Sequence, residues 1–196
     1  MSHPREEKTI VLVKPDGVKR GLIGEIVSRF ERRGLKVIAM KMVLASRTQA
    51  SDHYPKTDAW KIGIGEKTLE NYRAFGKDPV KEMGTDDALA IGNMVSEWNV
   101  DYLTSGPVVA MVVQGIHAIP TVRKIVGHTL PSKAEMGTIR GDYSIDSPTL
   151  ANADKRTIHN MVHASGDEQE ATHELQHWFK ADEVHDYKRA EEDVMF

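Results

Sequence analysis

The chain has 196 residues, 40% hydrophobic and 28% charged, with 26 basic against 29 acidic residues and no cysteine. That length is a prior for one domain with a sizeable core, and the composition excludes a disordered chain. A formal net charge of −3 creates no broad field for a nucleic-acid backbone, and the lack of cysteine excludes disulfides, thiolate metal sites and thiol nucleophiles.

The N-terminal MSHPREEKT carries no apolar stretch of the kind a secretory leader needs. The longest apolar run, VVAMVV at 108–113, is too short for a bilayer, so a soluble, cytoplasmic protein is expected. TIVLVKPDGVKRG (9–21) reads as a strand running into a loop at Pro15-Asp16-Gly17, with Lys14 at the strand's end. LIGEIVSRFERRG (22–34) places Ile23, Ile26, Val27 and Phe30 at helical spacing and stops at Gly34. LKVIAMKMVLA (35–45) alternates as a second strand, and 48–55 reads as a short helix ended by Pro55.

Residues 56–104 carry many charges, several glycines and a weak helical pattern, and are expected to form a helical insertion in a single domain spanning 1–196. GPVVAMVVQG (106–115) is nearly continuously apolar and so reads as a central, covered strand. A helix over 119–127 can start at Pro120 and end at Gly127. Residues 129–143 read as loop, with Arg140 between glycines, and 144–156 as a longer turn-rich loop. TIHNMVH (157–163) reads as the last strand, 165–179 as the last long helix, and the charged tail has an apolar end at Val194, Met195 and Phe196 that could pack on a neighbouring subunit. The order fits a β-α-β-β-α-β core: α/β (α+β), a four-stranded, mainly antiparallel sheet with helices on one face.

His159 and His163 lie four apart and would face the same way on a strand. A metal pair would need a third ligand, for which His173 or Glu174 is available, and an open position. The alternative for His163 is a nucleophile: small residues Ala164 and Gly166 follow it, and Ser165-x-x-Glu168 has the form of a capping box that would aim a helix N-terminus at a phosphoryl group. Neutral imidazole is nucleophilic near pH 7 provided its other nitrogen is held, and Glu174 is the candidate partner. Phosphoryl transfer then needs cations, and Lys14, Arg123 and Arg140 are the candidates.

The segments TIVLVKPDGVKRGLIGEIVSRFERRGLKVIAMKM, HY (53–54), SGPVVAMVV, GTIRGDY and NMVHAS resemble nucleoside diphosphate kinases, in the same order. The resemblance implies the ferredoxin-like core, phosphotransfer between nucleoside tri- and diphosphates, and a homo-oligomer, tetramer or hexamer, with no membrane or nucleic-acid partner. It implies a phosphorylated histidine at His163, oriented by Glu174 with Ser165 beside it. It places Lys14, Tyr54, Arg123, Thr129, Arg140 and Asn160 on phosphates and ribose, with Lys14 and Asn160 at the sugar end. Mg²⁺ would be carried by the nucleotide phosphates rather than by a protein site. The base-stacking aromatic falls in the lengthened segment, near Val95 by ungapped counting, with Trp60 and Trp98 as alternatives. Gly166 and Leu130 depart from the family's usual residues, and with Gly166 in place Asp167 could take over as the helix cap. The alternative reading is a nucleotide-binding or regulatory protein on the same fold with weak catalysis. Asn160 and His163 would lie on opposite faces of a regular strand, so the chain is expected to bend at or before His163 if both serve one site.

Overall fold

The computed structural model describes residues 6–190 and 192–195. Its elements run β1 (Glu6–Val13), α1 (Pro15–Lys19), α2 (Ile23–Arg32), β2 (Lys36–Val43), α3 (Arg47–His53), α4 (Asp58–Ala74), α5 (Pro79–Met83) and α6 (Ala88–Thr104). They continue with β3 (Val108–Ile116), α7 (Ala118–Val126), α8 (Ile139–Tyr143), α9 (Pro148–Ala153), β4 (Val162–Ala164), α10 (Glu168–Trp178) and α11 (Glu192–Met195). The strands form one sheet in the order β2-β3-β1-β4, every neighbouring pair antiparallel, which is the ferredoxin-like arrangement expected.

Alternation along β1 and β3 makes two cores. Val11, Val13, Val109, Met111 and Val113 meet Ile26 and Phe30 of α2 and Val122 of α7 on one face. Ile10, Leu12, Ala110 and Val112 meet Ala50 of α3, Leu103 of α6 and Trp178 of α10 on the other. Helices therefore cover both faces rather than one, because α6 and α10 bury the face that the pattern left open. Two covered faces also explain why 108–113 is apolar without alternation. Each fully buried Val, Ile or Leu here contributes roughly 1.5–3 kcal/mol.

The lengthened segment folds as an antiparallel pair, α4 and α6, bridged by α5. A Cβ on Gly65 would stand 1.8 Å from the Ala88 carbonyl oxygen, and one on Gly92 would stand 2.0 Å from that of Lys61. Only glycine lets the two backbones touch there. Leu69, Tyr72, Met83 and Ile91 form a small core under this contact.

Four local readings change. Pro15-Asp16-Gly17 starts a short helix, because Pro15 occupies its first turn where no N–H is needed. Residues 129–143 contain a 3₁₀ turn (Pro131–Lys133) and α8, capped by Thr138 Oγ1 accepting from the Gly141 N–H, so Arg140 sits on a helix rather than in a loop. Residues 144–156 contain α9, capped by Ser147. The last strand is only Val162–Ala164, because the carbonyls of His159 and Asn160 are taken by Ser144 and Arg140 and the His159 N–H by Asp146.

The C-terminal segment covers edge strand β2 in part, with Lys41 paired to Glu183 (2.7 Å). His185 donates its N–H to the Ile38 carbonyl (2.8 Å) at the bulge between Val37 and Ala39, and Lys36 pairs with Glu192 (3.2 Å). Beyond that, Met40, Met42 and Leu44 are 45%, 57% and 70% exposed. Val194 is exposed; Phe196 and the side chain of Met195, named with it at the apolar end, lie outside the described residues, as do residues 1–5.

Candidate active site

The site forms where β1 and β4, paired with Leu12 opposite His163, run out of sheet. Lys14, just past β1, donates its backbone N–H to the Met161 carbonyl (2.7 Å). Met161 is in the left-handed region (φ 60°), and the Val162 N–H turns back on the Asn160 carbonyl (2.7 Å). This is the bend that the spacing of Asn160 and His163 requires. Both side chains now line one cavity of about 430 Å³, together with Lys14, Tyr54, Arg123, Thr129 and Arg140.

The His163 side chain is 21% exposed, and its Nε2 lies 2.7 Å from Oε1 of buried Glu174. The other carboxylate oxygen accepts the Ser165 hydroxyl at 2.7 Å, and Ser165 Oγ accepts the Ile10 N–H at 3.2 Å. An ionised carboxylate only accepts, so His163 carries its proton on Nε2 and keeps the Nδ1 lone pair. Burial, then Lys14, Arg140 and Arg123, hold the His163 pKa well below the ordinary histidine value, so the ring is neutral at pH 7. Burial raises the Glu174 pKa from the usual carboxylate value, opposed chiefly by His53 and by the Ser165 hydrogen bond. Ser165 is thus not the cap of α10. Asp167 is, accepting the Glu170 N–H at 2.9 Å.

Lys14 Nζ donates to Asn160 Oδ1 (2.8 Å), and Asn160 Nδ2 donates to the Thr129 carbonyl (3.0 Å). This chain fixes the three residues relative to one another. Burial, with Arg140 adding repulsion, lowers the Lys14 pKa to about 7. Arg140 spends three N–H groups on the carbonyls of Asn160 (3.2 Å), Gly127 (2.9 Å) and Val162 (2.5 Å). Two of its five donors remain for a ligand. Burial, then Arg123, lowers its pKa to about 10, so it stays charged at neutral pH. Arg123, on α7, makes no hydrogen bond or ion pair among the described residues and is exposed at the cavity.

His159 leaves this group. Its ring stacks on Tyr102 (4.7 Å, 21°), so no metal pair with His163 is formed. His53, Glu174 and His163 do bring possible ligand atoms within 4.8 Å of one another, but the carboxylate is already used by His163 and Ser165. His53 is a residue that sequence reasoning missed. It ends α3, is buried, accepts the Trp178 indole N–H at Nδ1 (3.3 Å), and stands edge-on to His163 with ring centres 4.4 Å apart. The pair His53-Tyr54 was the available signal. Tyr102 was also missed: its hydroxyl donates to Asp16 (2.5 Å) and its ring lies 5.2 Å from Lys14 Nζ. Nothing in the helical spacing of the insertion marks it.

A second cavity of about 680 Å³ shares the rim His128, Thr129, Thr157 and Ile158 with the first. Val95 and Trp98 line it, whereas Trp60 stacks on Tyr54 (6.4 Å, 28°).

The nucleoside diphosphate kinase family profile matches residues 7–61 and 92–184 of this chain. A nucleoside diphosphate kinase of Pyrobaculum aerophilum is 49% identical over 178 residues, 91% of this chain and 97% of that protein. One from Archaeoglobus fulgidus is 40% identical over 97% of each. Among solved structures, a P. aerophilum NDP kinase superposes with a TM-score of 0.90 at 47% identity, covering 92% of this chain and all of that one. A Borrelia burgdorferi nucleoside diphosphate kinase, captured as a transition-state mimic with vanadate and ADP, gives 0.77 at 35% identity, covering 98% of each.

Proposed function

This chain belongs to the nucleoside diphosphate kinase family and is a phosphotransferase acting on nucleotides, and on that premise we propose that the phosphate travels through Nδ1 of His163. The observation that carries this is the 2.7 Å contact of Nε2 with buried Glu174, which leaves Nδ1 as the free nitrogen beside a cationic cavity. The Nδ1 lone pair attacks the γ-phosphorus of a donor triphosphate, the bond to the β-bridging oxygen breaks, and the donor diphosphate leaves. Nε2 keeps its proton throughout, and Glu174 stabilises the positive charge that the ring acquires. A terminal oxygen of an acceptor diphosphate then attacks, and the N–P electron pair returns to Nδ1. Arg123, Arg140 and Thr129 hold the transferring group, Tyr54 closes the cavity wall, and Lys14 and Asn160 hold the sugar side.

One site serving both half-reactions gives ping-pong kinetics. Double-reciprocal plots at several donor concentrations should be parallel; intersecting lines would mean direct transfer in a ternary complex. The residues lining the phosphate cavity include no carboxylate, and Mg²⁺ takes oxygen ligands, so the ion would ride on the nucleotide phosphates and would supply charge neutralisation there. The base end of the nucleotide extends over Thr129 and Ile158 into the second cavity, with Trp98 as the stacking aromatic. The chain forms a single domain, 1–196, in which 56–104 is a helical insertion and 144–156 a longer connecting segment that holds α9.

Lys14 makes binding depend on pH. Its pKa of about 7 in the free protein means that it is charged below that value and neutral above it. Phosphate anions favour the charged form, so binding above pH 7 must take up a proton. The Kd for a nucleoside diphosphate should weaken as pH rises from 7 to 9, by up to about tenfold per unit. Titration calorimetry in buffers of different ionisation enthalpy reads the proton directly, and Lys14→Met should abolish the uptake.

Met40 and Met42 of β2, with Leu44 just after it, are exposed on one side of an edge strand. Such an edge is self-complementary about a two-fold axis, which supports a homo-oligomer built on antiparallel pairing of β2 with a second copy. Met42→Lys should shift the mass measured by light scattering toward the monomer; an unchanged oligomer would place the interface elsewhere. No helix among the described residues is long and apolar enough to cross a membrane. We place the protein in the cytoplasm, consistent with its nucleotide substrates and lack of cysteine.

A further inference from the structure

The wall of the second cavity includes residues that the family profile does not cover. Positions 62–91 fall outside the matched segments, yet Ile64, Lys67, Thr68, Asn71 and Ala74 of α4 line it. They recur at helical spacing and form one face of α4. The other side of the helix, with Gly65 and Leu69, is buried against α6, and the glycine contacts at Gly65 and Gly92 fix its distance. Two hydrogen bonds tie this insertion to the far side of the cavity. The Tyr72 hydroxyl donates to the Asn152 carbonyl (3.3 Å), and Thr157 Oγ1 donates to Asn99 Oδ1 (2.5 Å). The insertion is therefore a positioned wall rather than a surface ornament.

That wall offers apolar surface together with polar groups of both kinds. Ile64, Val95, Trp98, Leu130 and Ile158 line the cavity and are each only partly buried, which leaves apolar surface for a ligand to cover. Thr68 spends its hydroxyl proton on the Ile64 carbonyl (3.0 Å), and Asn71 spends one amide proton on the Lys67 carbonyl (2.7 Å). Asn71 keeps its second amide proton beside Oδ1, so it presents a donor and an acceptor together. Every nucleobase shows a donor next to an acceptor on its pairing edge, and such a side chain suits them all. The charges add little choice. Arg156 is committed to Asp146 (2.6 Å) and Asp154 (3.2 Å), while Lys67, Glu70 and Lys133 are exposed and stay in water.

We propose that α4 is a wall of the base subsite and grips the base of any nucleotide through Ile64, Thr68 and Asn71, adding affinity without choosing among bases. The proposal rests on the nucleoside diphosphate kinase reading, which places the phosphates in the first cavity. Each base brings a flat apolar face and a donor–acceptor edge, so all four share the gain, and a phosphate ester without a base forgoes it. The insertion thus separates nucleotides from other phosphate esters rather than one nucleotide from another.

The test is equilibrium binding, by calorimetry with Mg²⁺, of ADP, GDP, CDP, UDP and base-free ribose 5-diphosphate. Wild type, Ile64→Ser and Asn71→Ala are compared, and intact mass after ATP reads phosphoenzyme alongside. The wild type should hold the four nucleotides within about fivefold of one another, and each about a hundredfold tighter than ribose 5-diphosphate. Ile64→Ser should weaken all four by about tenfold and Asn71→Ala by about threefold, with ribose 5-diphosphate unchanged. Variants that bind the nucleotides as the wild type does would overturn the proposal, as would weakening that extends equally to ribose 5-diphosphate. A wild-type preference for one base by more than about tenfold, lost in the variants, would equally overturn it, since α4 would then be choosing. Failure to form a phosphoenzyme would count against His163 instead, and the binding ratios would still decide the role of α4.

Discussion

His163→Ala should lower nucleotide phosphotransfer by a factor of about 10⁵ or more, the scale seen when a covalent nucleophile is deleted. The loss should fall on kcat, because Lys14, Arg123, Arg140 and Asn160 still line the cavity and hold the phosphates and sugar. Stability should change little, since the His163 ring stands at the cavity wall and is partly exposed. Glu174 would then be left with the Ser165 hydroxyl as its close partner. Steady-state assay with ATP and a second diphosphate measures the first effect, and thermal melting the second. Residual turnover within tenfold of the wild type would mean that the group carrying the phosphate is not His163.

Arg140→Met should damage both the fold and the chemistry. The guanidinium gathers the carbonyls of Gly127, Asn160 and Val162, which come from the end of α7, the bend and β4. Methionine fills much of the volume but takes a donor from each of these carbonyls, that of Asn160 keeping the Val162 N–H, and an unsatisfied buried group costs about 1–3 kcal/mol. A net loss of about 3 kcal/mol is expected, or a fall in Tm of roughly 6–12 °C for a chain of this size. The same arginine has two donors left for the transferring phosphate, so the rate of phosphoenzyme formation should fall by about 10². Arg140→Lys separates the two roles. It restores a positive charge but not the planar fork, so it should recover part of the rate and little of the stability. A stable Arg140→Met protein would show that other contacts hold the bend.

The sheet was readable from the sequence because its signals are local. β1, β2 and β3 are apolar or alternating runs bounded by Pro15, Gly34 and Gly106, and α2 has clear helical spacing ended by Gly34. The misread segments are those whose backbone is satisfied by distant side chains. Residues 157–161 look like strand, but Ser144, Arg140 and Asp146 take the groups that a ladder would use. The Ser165-x-x-Glu168 pattern looks like a capping box, but the serine is drawn to Glu174 and Asp167 caps the helix instead. The cationic residues could be named from motifs, and the structure brings Lys14, Arg123, Arg140, Asn160 and His163 to one cavity. Tyr102 and the α4 wall were not legible. Their positions depend on how the insertion packs, and that packing turns on the touching glycines at 65 and 92.

The central claim is that a phosphate rests on His163 between two nucleotides. Intact mass after brief incubation with ATP and Mg²⁺ tests it most directly, followed by addition of a diphosphate of another base. The account predicts one acid-labile phosphate per chain, located at His163, absent from His163→Ala, and lost on adding the diphosphate with formation of the matching triphosphate. A protein that binds ATP yet gains no phosphate, or gains it at another residue, would contradict it.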